Sequence, residues 1–221
     1  LLANVSPDSK VLDICAGTGG FLISAMQHML QKAVTDIERQ DIKKHRLIGV
    51  ENNPKIFALD ASNMILRGDG KANLHQASCF DSTVMKVIKK SKPNVGMLNP
   101  PYSQSKSDAQ LHELYFLKQM LECLDKGSLG IAIVPMSCAI APNPVREELM
   151  KAHTLDAVMS MPQELFYPVG VVTCIMVWIS GVPHLKSGRK TWFGYWKDDG
   201  YVKTKHLGRI DLYNRWPEIR D

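Results

Sequence analysis

One short block, Asn99-Pro100-Pro101-Tyr102, combines a hydrogen-bonding side chain with two residues that stiffen the backbone. It ends the apolar run that begins at Val95. Proline has no backbone N–H and restricts the residue before it, so the block fits neither a strand interior nor a freely moving helix start. The sequence therefore predicts a group that is held rigidly at the end of a strand.

A glycine-rich segment, with the letters LDICAGTGGFL, lies between the first apolar run and the first amphipathic stretch. Ligands of open α/β sheets bind at the carboxyl ends of the strands, so this position suits a binding loop. Gly17, Gly19 and Gly20 permit a tight turn and a close approach of a ligand to the backbone. The dinucleotide pattern G-x-G-x-x-G needs a glycine where Leu22 stands, and Asp13 would repel a diphosphate.

The carboxylates of Asp13 and Glu51 favour a cationic ligand instead. Glu51 is the last residue of the second predicted strand, where an acidic side chain can accept hydrogen bonds from both hydroxyls of a ribose. S-adenosylmethionine (SAM) carries a sulfonium, an α-amino group and a ribose, and it has no phosphate. The two acids and the glycine loop together predict a SAM site.

Apolar runs alternate with amphipathic stretches along the chain, which predicts βαβ units and a mainly parallel sheet. The expected strands are 10–15, 46–51, 73–77, 94–99, 129–135, 154–162 and 170–180. Helices are expected at 20–33, 53–68 and 82–90, with further helices that begin near Ser107, which has a capping-box partner in Gln110, and at Pro144. The expected fold class is α/β and Rossmann-like. It has a seven-stranded sheet, helices on both faces and an antiparallel last strand.

Residues 182–221 differ from the rest of the chain in charge. They contain nine Lys or Arg and five Asp or Glu, so they carry four of the five net positive charges. Both a solvated surface and a face near nucleic acid fit this charge. The letters around Asp199-Gly200 predict a hairpin over 191–205. We expect one domain over 1–181 and a C-terminal extension over 182–221.

The composition, 45% hydrophobic and 22% charged, predicts a well-cored globular domain. No apolar run approaches the roughly 20 residues of a membrane span, and no signal peptide is visible. The five cysteines lie in or beside apolar segments, without a Cys-x-x-Cys pair or a histidine at ligand spacing. This predicts buried free thiols in a reducing cytoplasm, no metal site and no membrane partner.

The segments 13–21, 51 and 99–102 together resemble the motifs of amino-group methyltransferases. With 162–178 and 198–216, they resemble more narrowly the adenine-N6 DNA methyltransferase (modification) subunits of type I restriction–modification systems, over nearly the whole chain. The resemblance implies a SAM-dependent methyltransferase fold, DNA adenine methylation and a cytoplasmic location in a bacterium or archaeon. The cofactor residues that it implies are Asp13, Ala16, Gly17, Thr18, Gly19, Gly20, Phe21, Glu51, Asn52, Ser78, Cys79, Phe80 and Asn99.

The same resemblance implies what the stiff block holds. An exocyclic adenine amine is a weak nucleophile because its lone pair is delocalised into the ring. The side-chain oxygen of Asn99 and the carbonyl of Pro100, held inward by the prolines, would accept its two N–H groups and stabilise the positive charge that grows on nitrogen. Tyr102 would stack on the base, which must be flipped out of the duplex. Phe166 would pack on the other face of the base, or serve only as a hydrophobic plug.

One position departs from the pattern of the family. After the third strand the family usually has an acid that contacts the adenine amino group of the cofactor, and Ser78 stands at its place. A serine hydroxyl could accept one hydrogen bond, or Asp81 could rotate toward the ligand. The departure puts the strength of cofactor binding in question.

Three other functions stay open at this level. The same four-residue block serves enzymes that methylate glutamine amides in proteins, although the basic extension after Gly181 argues against them. An amine in RNA is excluded only weakly. A non-catalytic assembly subunit with the same fold is a different class, which Ser78 favours slightly and the intact block at 99–102 disfavours.

The resemblance also implies partners. These are double-stranded DNA, a specificity subunit or a fused recognition domain, and in some systems a restriction endonuclease subunit. Family members carry a helical N-terminal region and an upstream cofactor-binding segment, whereas 12 residues precede Asp13 here and the chain starts at Leu1 rather than Met. We therefore expect a fragment that alone methylates DNA weakly or not at all.

Overall fold

The computed structural model describes residues 2–68, 73–102, 112–162, 165, 170–196, 198–204, 208–215 and 217–218. The helices are α1 (Gly20–Lys32), α2 (Asp36–His45), α3 (Pro54–Leu66), α4 (Ser82–Lys90), α5 (Glu113–Cys123), α6 (Ser137–Ile140), α7 (Pro144–Ala152) and α8 (His184–Ser187). The strands are β1 (Val11–Asp13), β2 (Leu47–Glu51), β3 (Leu74–Gln76), β4 (Val95–Leu98), β5 (Leu129–Pro135), β6 (Thr154–Ser160), β7 (Thr173–Ile179), β8 (Trp192–Tyr195), β9 (Tyr201–Thr204) and β10 (Gly208–Asp211). Within the described ranges, every helix is too short or too polar to cross a membrane.

Eight strands form the main sheet, in the order β3-β2-β1-β4-β5-β7-β6-β8. All neighbouring pairs are parallel except the two that involve β7. The predicted α/β class is confirmed, and the last of the seven predicted strands, β7, is antiparallel to both of its neighbours as expected. The predicted number of strands is wrong, because β8 adds an eighth strand through parallel pairing with β6.

The predicted hairpin over 191–205 is also wrong. Its first half, β8, pairs with β6 in the main sheet, whereas its second half, β9, pairs with β10 in a separate two-stranded sheet. The turn at Asp199-Gly200 exists, since Gly200 has φ of 82° and its N–H donates to Asp198. The local sequence predicted the turn correctly, but it could not predict with which strands β8 and β9 would pair. The boundary at residue 181 stays a prediction.

The two faces of the sheet carry different helices, because alternate residues of each strand point to opposite sides. On one face Leu12, Ile48 and Leu98 pack with buried residues of α4, α5 and α7. On the other face Val11 and Leu47 pack with α1, α2 and α3. Each fully buried large apolar side chain contributes roughly 1.5–3 kcal/mol of stabilisation. Both faces therefore hold the strand ends in fixed positions.

Two neighbouring strands have glycine beneath helix α5, which leaves room for side chains of the helix. A Cβ on Gly96 of β4 would lie 2.7 Å from Sδ of Met120, and a Cβ on Gly130 of β5 would lie 2.5 Å from Cδ2 of Leu121. Both distances are below ordinary van der Waals contact. The absent methyl groups thus allow Met120 and Leu121 of the helix to pack directly onto β4 and β5.

The helix caps show what the sequence predicted and what it missed. Asn53 caps α3 with Pro54 at its first position, as expected, and its Oδ1 accepts from the backbone of Lys55. Helix α2 was not predicted, although Thr35 and Glu38 form a complete capping box there. The predicted capping box at Ser107 lies outside the described residues; α5 begins at Glu113 with His112 as its N-cap.

Candidate active site

The site lies where the strand order reverses. Strands β1 and β4 are neighbours, yet the chain leaves β1 toward β2 and reaches β4 only after β3. Loops diverge at such a point and leave a crevice at the carboxyl ends of the strands. Asp13 ends β1, Glu51 ends β2 and Asn99 follows β4, so the topology brings these three side chains to one edge of the sheet.

Two adjoining cavities occupy this edge. The Glu51 cavity, of about 410 Å³, is lined by Ile14, Cys15, Gly17, Val50, Glu51, Asn52, Ser78, Cys79, Phe80, Asn99, Pro101 and Phe116. The Asp13 cavity, of about 490 Å³, is lined by Asp13, Cys15, Ala16, Gly17, Thr18, Gly20, Phe21, Ser24 and Asn99. Cys15, Gly17 and Asn99 line both. Each volume falls in the range of small-molecule sites.

All of the predicted cofactor residues except Gly19 line one or both of these cavities. Gly19 is buried. Five further residues line them and were not predicted from sequence as site residues: Ile14, Cys15, Ser24, Val50 and Phe116. The apolar ones lie in a strand or a helix or, as Ile14 does, directly after a strand, where the sequence pattern cannot tell a cavity wall from ordinary core. The individual roles of all these residues stay predictions.

Asp13 is almost completely buried, at 1% exposure. Its Oδ1 accepts a hydrogen bond of 3.0 Å from the backbone N–H of Cys15, which holds the start of the glycine loop. Burial is the main reason that the pKa of Asp13 is raised to about 7; the Cys15 hydrogen bond opposes the shift, and the nearby carboxyl groups of Asp60 and Glu51 contribute to it. A positive charge nearby would therefore lower the pKa of this carboxyl group and favour its ionised form.

Glu51 ties the glycine loop to the end of β2. Its Oε2 accepts from the backbone N–H of Gly17 at 3.0 Å, and its Oε1 accepts from the N–H of Asn53 at 2.7 Å. A carboxylate oxygen has two lone pairs, so each oxygen can still accept a second hydrogen bond. Glu51 can thus hold the loop and bind two ligand hydroxyls at the same time.

Helix α3 supports the glycine loop from below. The side-chain amide of Asn63 donates to the carbonyl of Thr18 at 3.0 Å. One turn earlier, Asp60 is 1% exposed, and a Cβ on Gly19 would overlap its Oδ1. Gly19 has φ of 82°, a left-handed conformation that other residues adopt only with strain. The loop and α3 therefore fit together only with glycine at this position.

Replacing Gly19 with alanine is expected to lower the free energy of unfolding by about 1–3 kcal/mol, because alanine is strained at positive φ and its methyl group meets Asp60. Denaturant titration measures the loss. Gly20→Ala is the matched control, since a Cβ on Gly20 meets no atom within 4 Å and Gly20 opens α1. Equal stability of the Gly19 and Gly20 variants would contradict this account.

Residues that follow β3 form part of the wall of the Glu51 cavity. Ser78 accepts a hydrogen bond of 3.2 Å from the backbone N–H of Phe80, and Phe80 packs edge-on against Phe116 with centroids 4.9 Å apart. Asp81 caps α4, where its Oδ1 accepts from the N–H of Thr83 at 2.8 Å. Rotation of Asp81 toward a ligand would therefore leave α4 uncapped, which makes Ser78 the better candidate for a polar contact here.

Cys15 and Cys79 both line the Glu51 cavity. The neighbouring Cys79 thiol and burial raise the pKa of Cys15, so its sulfur stays protonated. Cys15, Cys79, Cys123, Cys138 and Cys174 are all free thiols, as predicted from the sequence.

The block at 99–102 ends β4 beside both cavities. The side chain of Asn99 is exposed, Pro100 is buried and Pro101 lines the Glu51 cavity. The hydroxyl of Tyr102 is buried; burial, together with the smaller effect of nearby Glu113, raises its pKa to about 12. The phenol is thus neutral at any ordinary pH. Phe166, the other predicted stacking residue, lies outside the described residues.

A mostly parallel sheet with an antiparallel β7, together with a glycine loop between β1 and α1, defines the fold of class I methyltransferases. The chain belongs to the N-6 DNA Methylase family, whose family model matches residues 1–206.

Two curated relatives and one solved structure show where the likeness extends. The chain is 41% identical to the type II restriction enzyme and methyltransferase RM.BcgI of Heyndrickxia coagulans, over 95% of the chain and 33% of that protein. It is 26% identical to the type I restriction enzyme EcoEI methylase subunit of Escherichia coli, over 83% of the chain and 40% of that subunit.

The crystal structure of the type I restriction enzyme EcoKI M protein superposes with a TM-score of 0.79 and 19% identity, over 99% of this chain and 50% of that one. The chain therefore spans about a third to a half of the proteins that it matches.

Proposed function

We propose that the chain is the catalytic part of an enzyme that transfers a methyl group from SAM to the N6 amine of adenine in DNA. We propose further that this enzyme acts within a restriction–modification system. One observation carries the proposal: Asn99 lines both the Glu51 cavity and the Asp13 cavity. An amide oxygen that can accept from an amine thus stands at the junction of the space for a nucleoside and the space for an amino acid.

The residues of the cleft fit SAM. Asp13 offers a buried carboxyl for a cationic group, and Glu51 keeps acceptor capacity for two hydroxyls. Ser78 and Phe80 would hold the adenine end, with the serine hydroxyl in place of the acid that is usual in the family. SAM would supply the electrophilic methyl group. Asp60 and Glu51 raise the pKa of Asp13, and among the described residues no Lys or Arg opposes them. This excess of negative charge favours a cationic ligand over a phosphate.

Asn99 and Pro100 supply the chemistry on the substrate side. Their oxygens would accept the two N–H groups of the adenine amine, which localises the nitrogen lone pair and stabilises the charge that develops on nitrogen. Tyr102 would stack on the base, helping to offset the few kcal/mol that base flipping requires. Positioning the amine in line with the methyl group can contribute roughly 7–11 kcal/mol. The chain needs no covalent intermediate for this transfer.

DNA and a recognition module are the partners that this function requires. The family description names DNA, and the similar proteins include a type I methylase subunit and a type II restriction enzyme and methyltransferase. We therefore propose double-stranded DNA and a specificity subunit or fused recognition domain as partners. A restriction endonuclease activity in the same system and a cytoplasmic location belong to the same proposal.

Methyl-labelled SAM tests the substrate class. The complete protein, with any partner subunits, is incubated with unmethylated DNA, RNA and protein together, and the labelled products are hydrolysed and separated. We expect the label in N6-methyladenine from DNA. Label in RNA or in glutamine would assign a different substrate. Absence of label from every pool, although SAM binds, would favour an assembly subunit and overturn the proposal.

A further inference from the structure

No step of the proposed methyl transfer uses the carboxyl group of Asp60. Asp60 belongs to α3 and is 1% exposed, and neither of its oxygens has a hydrogen-bond partner among the described residues. Buried carboxyl groups without partners are rare because burial penalises the charged form strongly. Asp60 lines neither cavity, but its Oδ1 lies against the backbone of Gly19, directly behind the loop that lines the Asp13 cavity.

Asp60 is the third member of a group of acids around the glycine loop. Its charge raises the pKa of Asp13, and the charge of Glu51 raises the pKa of both. Burial and Glu51 together raise the pKa of Asp60 to about 6. The three acids come from β1, β2 and α3, and among the described residues no Lys or Arg contributes to the shift of either aspartate. Above pH 7, unbalanced negative charge therefore surrounds the loop.

A structural role for Asp60 is the main alternative. Gly19 is the N-cap of α1 and makes no side-chain cap hydrogen bond, and Asp60 Oδ1 occupies the space where a capping side chain would begin. A carboxylate here also interacts favourably with the positive end of the helix dipole. Asparagine caps helices as well as aspartate does, whereas it carries no charge. The substitution Asp60→Asn thus separates the capping role from the charge.

We propose that Asp60 is a specificity-determining residue: its carboxylate, behind the glycine loop, makes the site prefer the sulfonium cofactor SAM over its product S-adenosylhomocysteine. This rests on the proposed function. The two molecules share every hydrogen-bonding group and differ in one methyl group and one positive charge. Fixed negative charge at the loop attracts SAM more strongly than the product, which promotes release of the product after transfer.

The test compares the dissociation constants of SAM and S-adenosylhomocysteine, measured by calorimetry at pH 8 with the complete protein. In Asp60→Asn we expect SAM to bind about 5- to 20-fold more weakly, as for one charge removed at a distance of several ångströms in a partly polar medium. The dissociation constant of S-adenosylhomocysteine should change by no more than about twofold, because this molecule has no net charge for the carboxylate to attract. Asn63→Ala is the control, since it removes a hydrogen bond between α3 and the loop without removing charge.

Each outcome decides the matter. A selective loss for SAM in Asp60→Asn, with equal changes for both ligands in Asn63→Ala, supports the proposal. Equal changes for both ligands in Asp60→Asn, or no change, leave Asp60 only a structural role and overturn it. Absence of SAM binding to the unaltered protein would instead overturn the cofactor assignment itself, and with it this proposal.

A second measurement avoids reliance on one variant. In the unaltered protein the preference for SAM should fall as pH decreases from 8 to 5, because Asp60 and Asp13 become protonated in this interval. Asp60→Ser, which keeps a hydroxyl for capping, should show a smaller preference at pH 8 and a shallower pH dependence. A preference that stays constant from pH 8 to pH 5 in the unaltered protein would overturn the proposal.

Discussion

Replacing Asn99 with alanine is expected to lower the rate of methyl transfer by two to three orders of magnitude, the usual effect of removing one group that stabilises charge in a transition state. The side chain stands at the junction of the two cavities, after a strand that α5 holds firmly. Without its oxygen, the amine would keep its lone pair in the ring. Single-turnover transfer to DNA, measured with saturating SAM, isolates this step.

Binding of SAM is the control for the Asn99 variant. Asn99 lines both cavities, so its loss should weaken SAM binding to some extent. The weakening should be no more than a few-fold, far less than the decrease in the rate of transfer. Asn99→Asp keeps an acceptor oxygen at the same place and should retain more activity than alanine. A transfer rate within about tenfold of the unaltered enzyme in Asn99→Ala would remove the amide oxygen from the mechanism.

Replacing Glu51 with alanine is expected to weaken SAM binding by about 100-fold or more, because hydrogen bonds to a charged group contribute about 1.5–3 kcal/mol each. The substitution removes the proposed acceptors for two hydroxyls. It also releases the backbone N–H groups of Gly17 and Asn53, which Glu51 now holds at 3.0 and 2.7 Å. Calorimetric titration with SAM measures the loss directly.

Glu148 is the matched control for the Glu51 variant. It lies on α7, its side chain is 53% exposed and it pairs with Lys118 at 2.9 Å, outside both cavities. Glu148→Ala should leave SAM binding unchanged within about twofold, since exposed ion pairs contribute little. If the two alanine variants bound SAM equally well, Glu51 would not contact the cofactor.

The sequence could predict the arrangement of the site because strand ends and loop chemistry are local properties. Asp13, Glu51 and Asn99 each end or follow an apolar run, and parallel strands bring such ends to one edge. The same logic predicted Asn53 as a cap, since asparagine before proline has few other uses at a helix start. Features that depend on one segment alone could therefore be predicted from the sequence.

Features that depend on partners distant in sequence could not be read in the same way. The letters of β8 do not show that its neighbour is β6, because pairing is decided by which edge remains open. Asp60 and Met64 are both buried on α3, four residues apart, but an acid at this spacing normally indicates a solvated face. The commitment of Asp81 to α4 likewise becomes visible only with the helix in place.

The paired glycines beneath α5 have a consequence for how this protein can change. Gly96 lies on β4, three residues before Asn99, and a Cβ there would meet side-chain atoms of Met120. A Cβ on Gly130 of β5 would likewise meet Cδ2 of Leu121. A substitution at either position could be accommodated only with compensating changes in Met120 and Leu121. Evolutionary change at these two glycines is therefore tied to change on the facing side of α5.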